Sequence, residues 1–281
     1  MAIQFEKVKY FYDKKNKISS LKDINLSIKP EGEFIALIGK IGSGKTTLVQ
    51  LMNALLITDI GKIIIFNQLI NSKTKKKKLV ALKKQIGLVF QFPEYQLFEI
   101  SVLKDVMFAP ENFTNDYELS KQKSIQVLKK IGISEDLFDK SPFQISDGQQ
   151  RKVAIAGVLA MEPDILILDE PTRGLDSVSK KNIMNFFKEI YKKQKKTIIM
   201  ITHDIDLVAE YASRILFLKQ GELVFDGNKE TFFESDDFSK FDLDYPQTFK
   251  ILKHLQQTIG IPFEYKYCFK TLLEYLKKIY L

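Results

Sequence analysis

The chain has 281 residues, 45% hydrophobic and 28% charged, which suits one large soluble α/β domain with an extension, and no apolar run approaches the ~18 residues that span a bilayer. Its net charge of +8 is almost all lysine, since Arg151, Arg173 and Arg214 are the only arginines. The densest cluster, Lys73, Lys75, Lys76, Lys77 and Lys78, has no interleaved aromatics to stack on bases, so it is read as a solvated loop and no nucleic-acid partner is expected.

Residues 3–12, IQFEKVKYFY, are rich in β-formers and read as an extended segment. LKDINLSIK at 21–29 alternates apolar and polar residues, as a half-buried strand does, and Pro30-Glu31-Gly32 marks a turn. EFIALIG at 33–39 is nearly continuously apolar, the pattern of a strand covered on both faces, and runs through a glycine loop into a helix at 46–56. GKIIIFN at 61–67 and KQIGLVFQ at 84–91 are further strands. Residues 102–140 are helical and charged, with KQKSIQVLKKIGI an amphipathic helix ending at Gly132. VAIAGVLAM at 153–161 suits a buried helix, and ILILD at 165–169 and TIIMIT at 197–202 suit buried strands joined by a crossover helix at 179–194. RILFLKQGELVFDG at 214–227 reads as a hairpin turning near Gln220-Gly221. This order implies a parallel sheet with helices on both faces.

After about residue 228 the pattern changes. Asp236, Asp237, Asp242 and Asp244 form an acidic stretch, followed by two helical segments at 246–259 and 267–280 around Gly260-Ile261-Pro262. Their helical Phe, Leu and Ile spacing predicts packing on the domain or on a partner. Cys268 is the single cysteine, so no internal disulfide can form; it is read as a small buried hydrophobe. The opening MAIQFEK lacks the pattern of a secretion signal, so a cytoplasmic location is expected.

Gly39-Lys40-Ile41-Gly42-Ser43-Gly44-Lys45-Thr46 fits the phosphate-binding-loop pattern completely and lies between a strand and a helix, as that chemistry requires. The glycines let successive N–H groups curl round phosphate oxygens, and the helix N-terminus adds partial positive charge. Lys45 is placed to reach the β- and γ-phosphates and Thr46 to ligate Mg²⁺, so ATP and Mg²⁺ are the expected cofactors. Asp169 ends an apolar strand, the usual place of a Mg²⁺-organising carboxylate, and Glu170 follows it. Between them stands Ile145-Ser146-Asp147-Gly148-Gln149, whose Ser-x-x-Gln also reads as a helix-opening capping box.

A Ser-x-Gly-Gln between a P-loop and an Asp-Glu strand end resembles the ATP-binding cassette proteins. FQFPEYQLFE at 90–99 and RKVAIAGVLAMEPDILILDEPT at 151–172 resemble, within that superfamily, the A2-type ATPases of energy-coupling factor transporters, which import vitamins and transition-metal ions. The similarity runs over most of residues 1–228 and continues weakly into the tail. It implies an α/β P-loop NTPase fold in a cassette domain at 1–228, with an N-terminal antiparallel β subdomain and a helical signature subdomain at about 93–160, followed by a C-terminal helical extension at 229–281.

The resemblance also implies roles. Glu170 would be the general base or polarise the attacking water, and His203, 34 residues after Asp169, would be the switch histidine at the γ-phosphate. Gln91 would sense Mg²⁺ beside Thr46 and Asp169, and Asp176 would belong to the D-loop. Tyr12, 33 residues before Lys45, is chosen to stack on adenine, with Tyr10 and Phe11 competing, and Thr47 joins the nucleotide site. Ser146, Asp147, Gly148 and Gln149 would complete a nucleotide site on a second ATPase, in a heterodimer beneath a membrane T protein, with a substrate-binding S protein reached indirectly. The T protein would dock near Gln91, at Pro93, Glu94, Tyr95 and Phe98. The chain would then sit peripherally at the cytoplasmic face of the membrane and power uptake of a micronutrient. The alternative is a non-transport cassette ATPase that acts on nucleic acid or as an assembly scaffold. His254 lacks such a context and is read as structural.

Asp147 stands where such signatures usually have glycine. Its first-turn carboxylate favours the helix, and Asp tolerates a left-handed backbone, so it can be a simple capping residue. Facing a phosphate at ~6 Å, it would instead repel it by about 1–3 kcal/mol.

Overall fold

The computed structural model describes residues 1–13, 19–30, 32–235 and 238–280, so Glu31, Asp236 and Asp237 of the sequence reading lie outside the described residues. The chain starts with two antiparallel strands, β1 (Ile3–Phe11) and β2 (Ser19–Ile28), followed by the fully buried β3 (Phe34–Ile38). After the glycine loop come α1 (Lys45–Met52), the hairpin β4 (Lys62–Ile65) and β5 (Gln68–Ile70), α2 (Lys76–Gln85) and β6 (Ile86–Val89). A helical stretch follows, with α3 (Val102–Thr114), α4 (Tyr117–Lys130) and α5 (Asp147–Leu159). Strand and helix then alternate through β7 (Ile165–Asp169), α6 (Ser177–Gln194), β8 (Thr197–Ile201), α7 (Ile205–Tyr211) and the hairpin β9 (Arg214–Lys219) and β10 (Glu222–Asn228). The chain closes with α8 (Lys229–Phe233), α9 (Gln247–Ile259) and α10 (Phe269–Tyr280).

The strands form two sheets. One is antiparallel, in the order β2-β1-β4-β5; the other runs β10-β9-β3-β8-β7-β6 and is parallel except for β10 at its edge. Alternate residues of the parallel strands enter different cores. Ile35, Leu37, Ile165, Ile167, Ile199 and Ile201 pack with α1 and the antiparallel sheet, whereas Leu166, Leu168, Ile198 and Met200 pack with Val153, Ile155 and Phe187 of α5 and α6. With both faces covered, the middle positions of these strands are apolar and polar residues such as Thr197 and Asp169 fall at the strand ends, which is why they read as nearly unbroken apolar runs.

A third core cluster joins the last helices to the sheet. Phe232 and Phe233 of α8, Phe238, and Phe249 of α9 are fully buried against Ala36, Ile38 and Phe217. Burying each phenylalanine contributes about 1.5–3 kcal/mol as an upper estimate, so α8, Phe238 and α9 share the core of β3 and β9. α10 packs on α9 through Leu252, Ile261 and Leu272.

Four local readings need correction. Lys76, Lys77 and Lys78 do not lie in a loop but open α2, which reaches the core through Leu82 and the half-buried Leu79 and places Lys83 and Lys84 in its last turn, where their charge meets the negative end of the helix. α1 stops at Met52 instead of continuing to 56, because Leu55 and Leu56 N–H groups turn back to the Gln50 carbonyl. The parallel sheet is not covered by helices alone, since the antiparallel sheet shares one face with α1. Cys268 is half-buried, not buried, and its Sγ lies 3.5 Å from Thr271 Oγ1 at the start of α10. Among the described residues no helix is long and apolar enough to cross a membrane.

Candidate nucleotide-hydrolysis site

Parallel register places the chemistry at one edge of the sheet. Ile201 of β8 pairs with both Leu37 of β3 and Asp169 of β7, so Gly39, Glu170 and Thr202-His203 emerge side by side from three adjacent strand ends. They line a cleft of ≈ 880 Å³ together with Lys45.

The loop after β3 requires glycine at two points. Gly39 has φ +148° and a Cβ there would run into the Leu218 carbonyl; Gly44 has φ +102° and a Cβ there would lie 2.6 Å from the Ser20 carbonyl oxygen. Gly44 begins α1 without any side-chain cap, which leaves the first-turn N–H groups free of side-chain acceptors. Lys45 Nζ curls back to donate to Gly39 O at 2.7 Å and Lys40 O at 2.9 Å. Burial pushes the Lys45 ammonium down from its ordinary pKa, against the opposing pull of Glu170 and Asp169. Ser43 Oγ is buried with no hydrogen-bond partner among the described residues, and the Thr46 side chain is exposed.

Across from this loop, burial and then the neighbouring Glu170 charge push the Asp169 carboxyl up to about 6, with Lys45 opposing. Glu170 has a left-handed backbone, φ +50°, and donates its N–H to Ile201 O at 3.0 Å. Its side chain is only 13% exposed, and the His203 Nδ1–H donates to Oε1 at 2.8 Å from a ring that is 75% exposed. Thr202 Oγ1 donates to the other carboxylate oxygen at 3.5 Å. His203 thus shields one side of a carboxylate that still faces the cleft.

The remaining expected site residues fall into two groups. Tyr12 reaches α1, with its hydroxyl 3.1 Å from Thr47 Oγ1, and the residue is 62% exposed. Tyr10 packs against the core and meets Tyr12 edge-on, so it holds the ring of Tyr12 in place. Gln91 follows β6 closely. Asp176 caps α6, accepting from Val178 N–H at 2.9 Å and Ser179 N–H at 3.0 Å. Ser146, Asp147, Gly148 and Gln149 are brought elsewhere: among the described residues, none of them lines the cleft. They form the exposed start of α5, where the capping box is complete, with Gln149 Oε1 accepting from Ser146 N–H at 3.0 Å and Ser146 Oγ from Gln149 N–H at 3.4 Å. Asp147 is helical there, so no left-handed tolerance is needed.

Sequence reasoning missed two contributors. Arg151 of α5 is 6% exposed, and its guanidinium donates to Arg173 O at 2.6 Å and Gln91 O at 3.0 Å. The signal was the rarity of arginine in a chain that otherwise uses lysine: a fork of donors suits two carbonyls from different loops, which a single ammonium serves poorly. Arg214, which is half-buried, is a structural fork that bonds Glu33, Asp226 and the Ser27 carbonyl. The second omission is Asp242, which ion-pairs with Lys40 and brings the C-terminal segment beside the phosphate loop.

Fold and cleft together define a P-loop ATPase of cassette architecture. The family described as "ABC transporter" matches residues 21–173. The chain is 43% identical over 267 residues to the energy-coupling factor transporter ATP-binding protein EcfA2 of Bacillus licheniformis, covering 94% of this chain and 92% of that one. It is 44% identical over 245 residues to the EcfA2 protein of Bacillus subtilis, covering 87% and 88%. Among solved structures, cbiO1 of Clostridium perfringens, part of the ABC transporter complex cbiONQ, superimposes with a TM-score of 0.75 at 36% identity, covering 92% of this chain and 95% of that one. An ATP-binding cassette solved as a dimer in a post-hydrolysis state with ADP and Pi superimposes with a TM-score of 0.72 at 31% identity, covering 80% and 98%. The chain belongs to the ABC transporter family, within it to the energy-coupling factor transporter ATP-binding proteins of the A2 type. It is an ATPase that uses ATP with Mg²⁺.

Proposed function

We propose that the chain is the ATP-hydrolysing subunit of an energy-coupling factor importer, peripheral at the cytoplasmic face of the membrane, paired with a second ATPase of the same kind and coupled to a T protein and, through it, to a substrate-binding S protein. The carrying observation is the Glu170–His203 pair at 2.8 Å on the strand edge beside Lys45.

The residues present fit the nucleotide. The unpartnered Ser43 Oγ and the uncapped first turn of α1 are the polar groups that phosphate oxygens would satisfy, and the glycines keep the space clear. Lys45 exchanges its two carbonyls for phosphate oxygens. Tyr12 stacks on the adenine with its exposed ring, and Thr47 anchors its hydroxyl. Thr46, Asp169 and Gln91 are the oxygen-bearing side chains that would hold Mg²⁺. When bound, Mg²⁺ offsets the charge that builds on the phosphates. Glu170 accepts the proton of the attacking water, and His203 fixes the carboxylate and meets the γ-phosphate. Displacement of ADP by that water oxygen releases phosphate.

Ser146, Asp147, Gly148 and Gln149 complete the site built on the partner ATPase, which explains their absence from this chain's own cleft. Asp176, after Glu170 in the chain and at the start of α6, stands at the same contact between subunits. Phe92, Tyr95, Phe98 and Ile100 are exposed just beyond Gln91 and form the T-protein docking face. Pro93 is buried beneath it. Glu94 departs from the expected outward docking role, since its Oε2 atom is buried.

The test is reconstitution. Purified subunits in lipid vesicles should show MgATP-dependent uptake of the substrate of the S protein, and the same assembly carrying Glu170→Gln should not. Uptake that survives Glu170→Gln at the wild-type rate contradicts the assignment.

A further inference from the structure

The Arg151 guanidinium sits where three segments meet. It lies in the second turn of the helix that Ser146 opens, and it holds the carbonyls of Gln91 and Arg173. Arg173 N–H in turn donates to Glu170 O at 3.1 Å, so one hydrogen bond separates the Arg151 anchor from the backbone of the Glu170 turn. Arg173 also extends over the Phe92 ring, 5.8 Å from its centroid, on the exposed side of the same junction.

The junction is incompletely satisfied. Among the described residues, Arg151 Nε is a buried donor without a hydrogen-bond partner, and Glu94 Oε2 is a buried acceptor without one. The two charges feel each other: burial lowers the Arg151 pKa, and Glu94 is what opposes that fall. A buried donor and a buried acceptor of opposite charge, each unsatisfied, form a pair that a movement of the turn can close. Glu94 lies on the short 3₁₀ turn Pro93–Gln96, which is closed by the Tyr95 N–H to Phe92 O and Leu97 N–H to Glu94 O bonds.

We infer that Arg151 is a positioning residue that carries the state of the Pro93–Gln96 turn to Gln91 and to the Glu170 turn, through an Arg151–Glu94 pair that is open in this structure and closes when nucleotide draws the loops together. This rests on the nucleotide-site reading above. Closing the pair pulls the docking turn toward α5 while the same guanidinium keeps its hold on both carbonyls, so the docking face and the Glu170 carbonyl shift as one unit. The guanidinium does this with three donors in fixed geometry, and an ammonium cannot reproduce all three.

Hydrogen–deuterium exchange on the assembled ATPase pair tests this, with the Mg²⁺ complex of a non-hydrolysable ATP analogue as the probe. In the wild type, the analogue should slow amide exchange at least about tenfold in residues 39–46 and also in residues 91–97. In Arg151→Met the slowing at 39–46 should persist while that at 91–97 falls below about threefold. Glu94→Gln should do the same, the double variant should lose no more than either single one, and Arg151→Lys should recover less than half. Exchange in β3 and β7 reports the fold; if Arg151→Met loosens these strands, the near-isosteric Glu94→Gln carries the test. Wild-type slowing at 91–97 in both variants overturns the inference alone. No slowing at 39–46 in the wild type overturns the nucleotide-site reading and the inference with it.

Discussion

His203 donates to Glu170 across 2.8 Å, while Glu170 holds a left-handed backbone at φ +50°. That backbone costs about 1–2 kcal/mol for a residue with a Cβ, and it is held by the N–H bond to Ile201 and the turn closed by Arg173. The strain aims the carboxylate out of the sheet edge and into the cleft, and the histidine limits its rotation.

The first prediction follows from that pair. Glu170→Gln should keep ATP affinity within about threefold and lower turnover of the assembled complex about 100-fold or more, since the phosphate loop is intact and the proton acceptor is gone. His203→Ala should lower turnover and leave a smaller residue of affinity loss. Equilibrium nucleotide binding and steady-state hydrolysis on the same preparations separate the two effects.

Asp169 gives a pH prediction. Its carboxyl pKa is about 6 in the folded chain against an ordinary value of 3.8. Between those values the folded protein holds more protons than the unfolded one, so stability falls as pH rises through this window and the penalty is fully present above it. In nucleotide-free, Mg²⁺-free protein, Asp169→Asn should be more stable than the wild type at pH 7–8 by roughly 1–2 kcal/mol after solvent screening. The gap should shrink below pH 6 and close near pH 4. Urea unfolding across pH measures it, and a gap that does not change with pH contradicts the assignment. The same variant should lose Mg²⁺-dependent hydrolysis.

Tyr12 tests the adenine contact. Tyr12→Phe loses the bond to Thr47 and keeps the ring, so ATP affinity should fall no more than about twofold; Tyr12→Ala loses the stack, worth about 1–3 kcal/mol. Equal affinities in the two variants would place adenine elsewhere.

Asp147 tests the composite site. It is an exposed first-turn residue beside a complete capping box, without an ion-pair partner among the described residues. Asp147→Gly should therefore tighten ATP at the partner's P-loop site about five- to tenfold, Asp147→Asn should recover part of that gain, and affinity at the Lys45 site should stay within twofold. The Gly variant should also lose about 0.5–1 kcal/mol of stability in the helix. Identical partner-site affinity in all three proteins would leave Asp147 as a capping residue alone.

The legible parts of this protein are those whose chemistry or covering dictates residue type. Gly39 and Gly44 could be read because no Cβ fits there, and ILILD because both faces of β7 are buried. The capping box could be read because Ser146 and Gln149 satisfy each other locally. Arg151 could not, because its value comes from Gln91 and Arg173, distant in sequence and joined only by the fold. α2 was hidden because its core contact rests on Leu82 and Leu79 amid lysines, and the tail's helical spacing showed that it packs but not against what, because Phe217, Phe232 and Phe249 come from three elements with no shared period.

On the proposed assignment, this chain holds one half of each of two composite sites. Hydrolysis per chain, measured against protein concentration with and without the partner ATPase and the membrane component, tests it most directly. The account predicts a low rate for the dilute chain alone, rising at least about tenfold on assembly. A full rate from the isolated chain at dilutions where it is monomeric would contradict it.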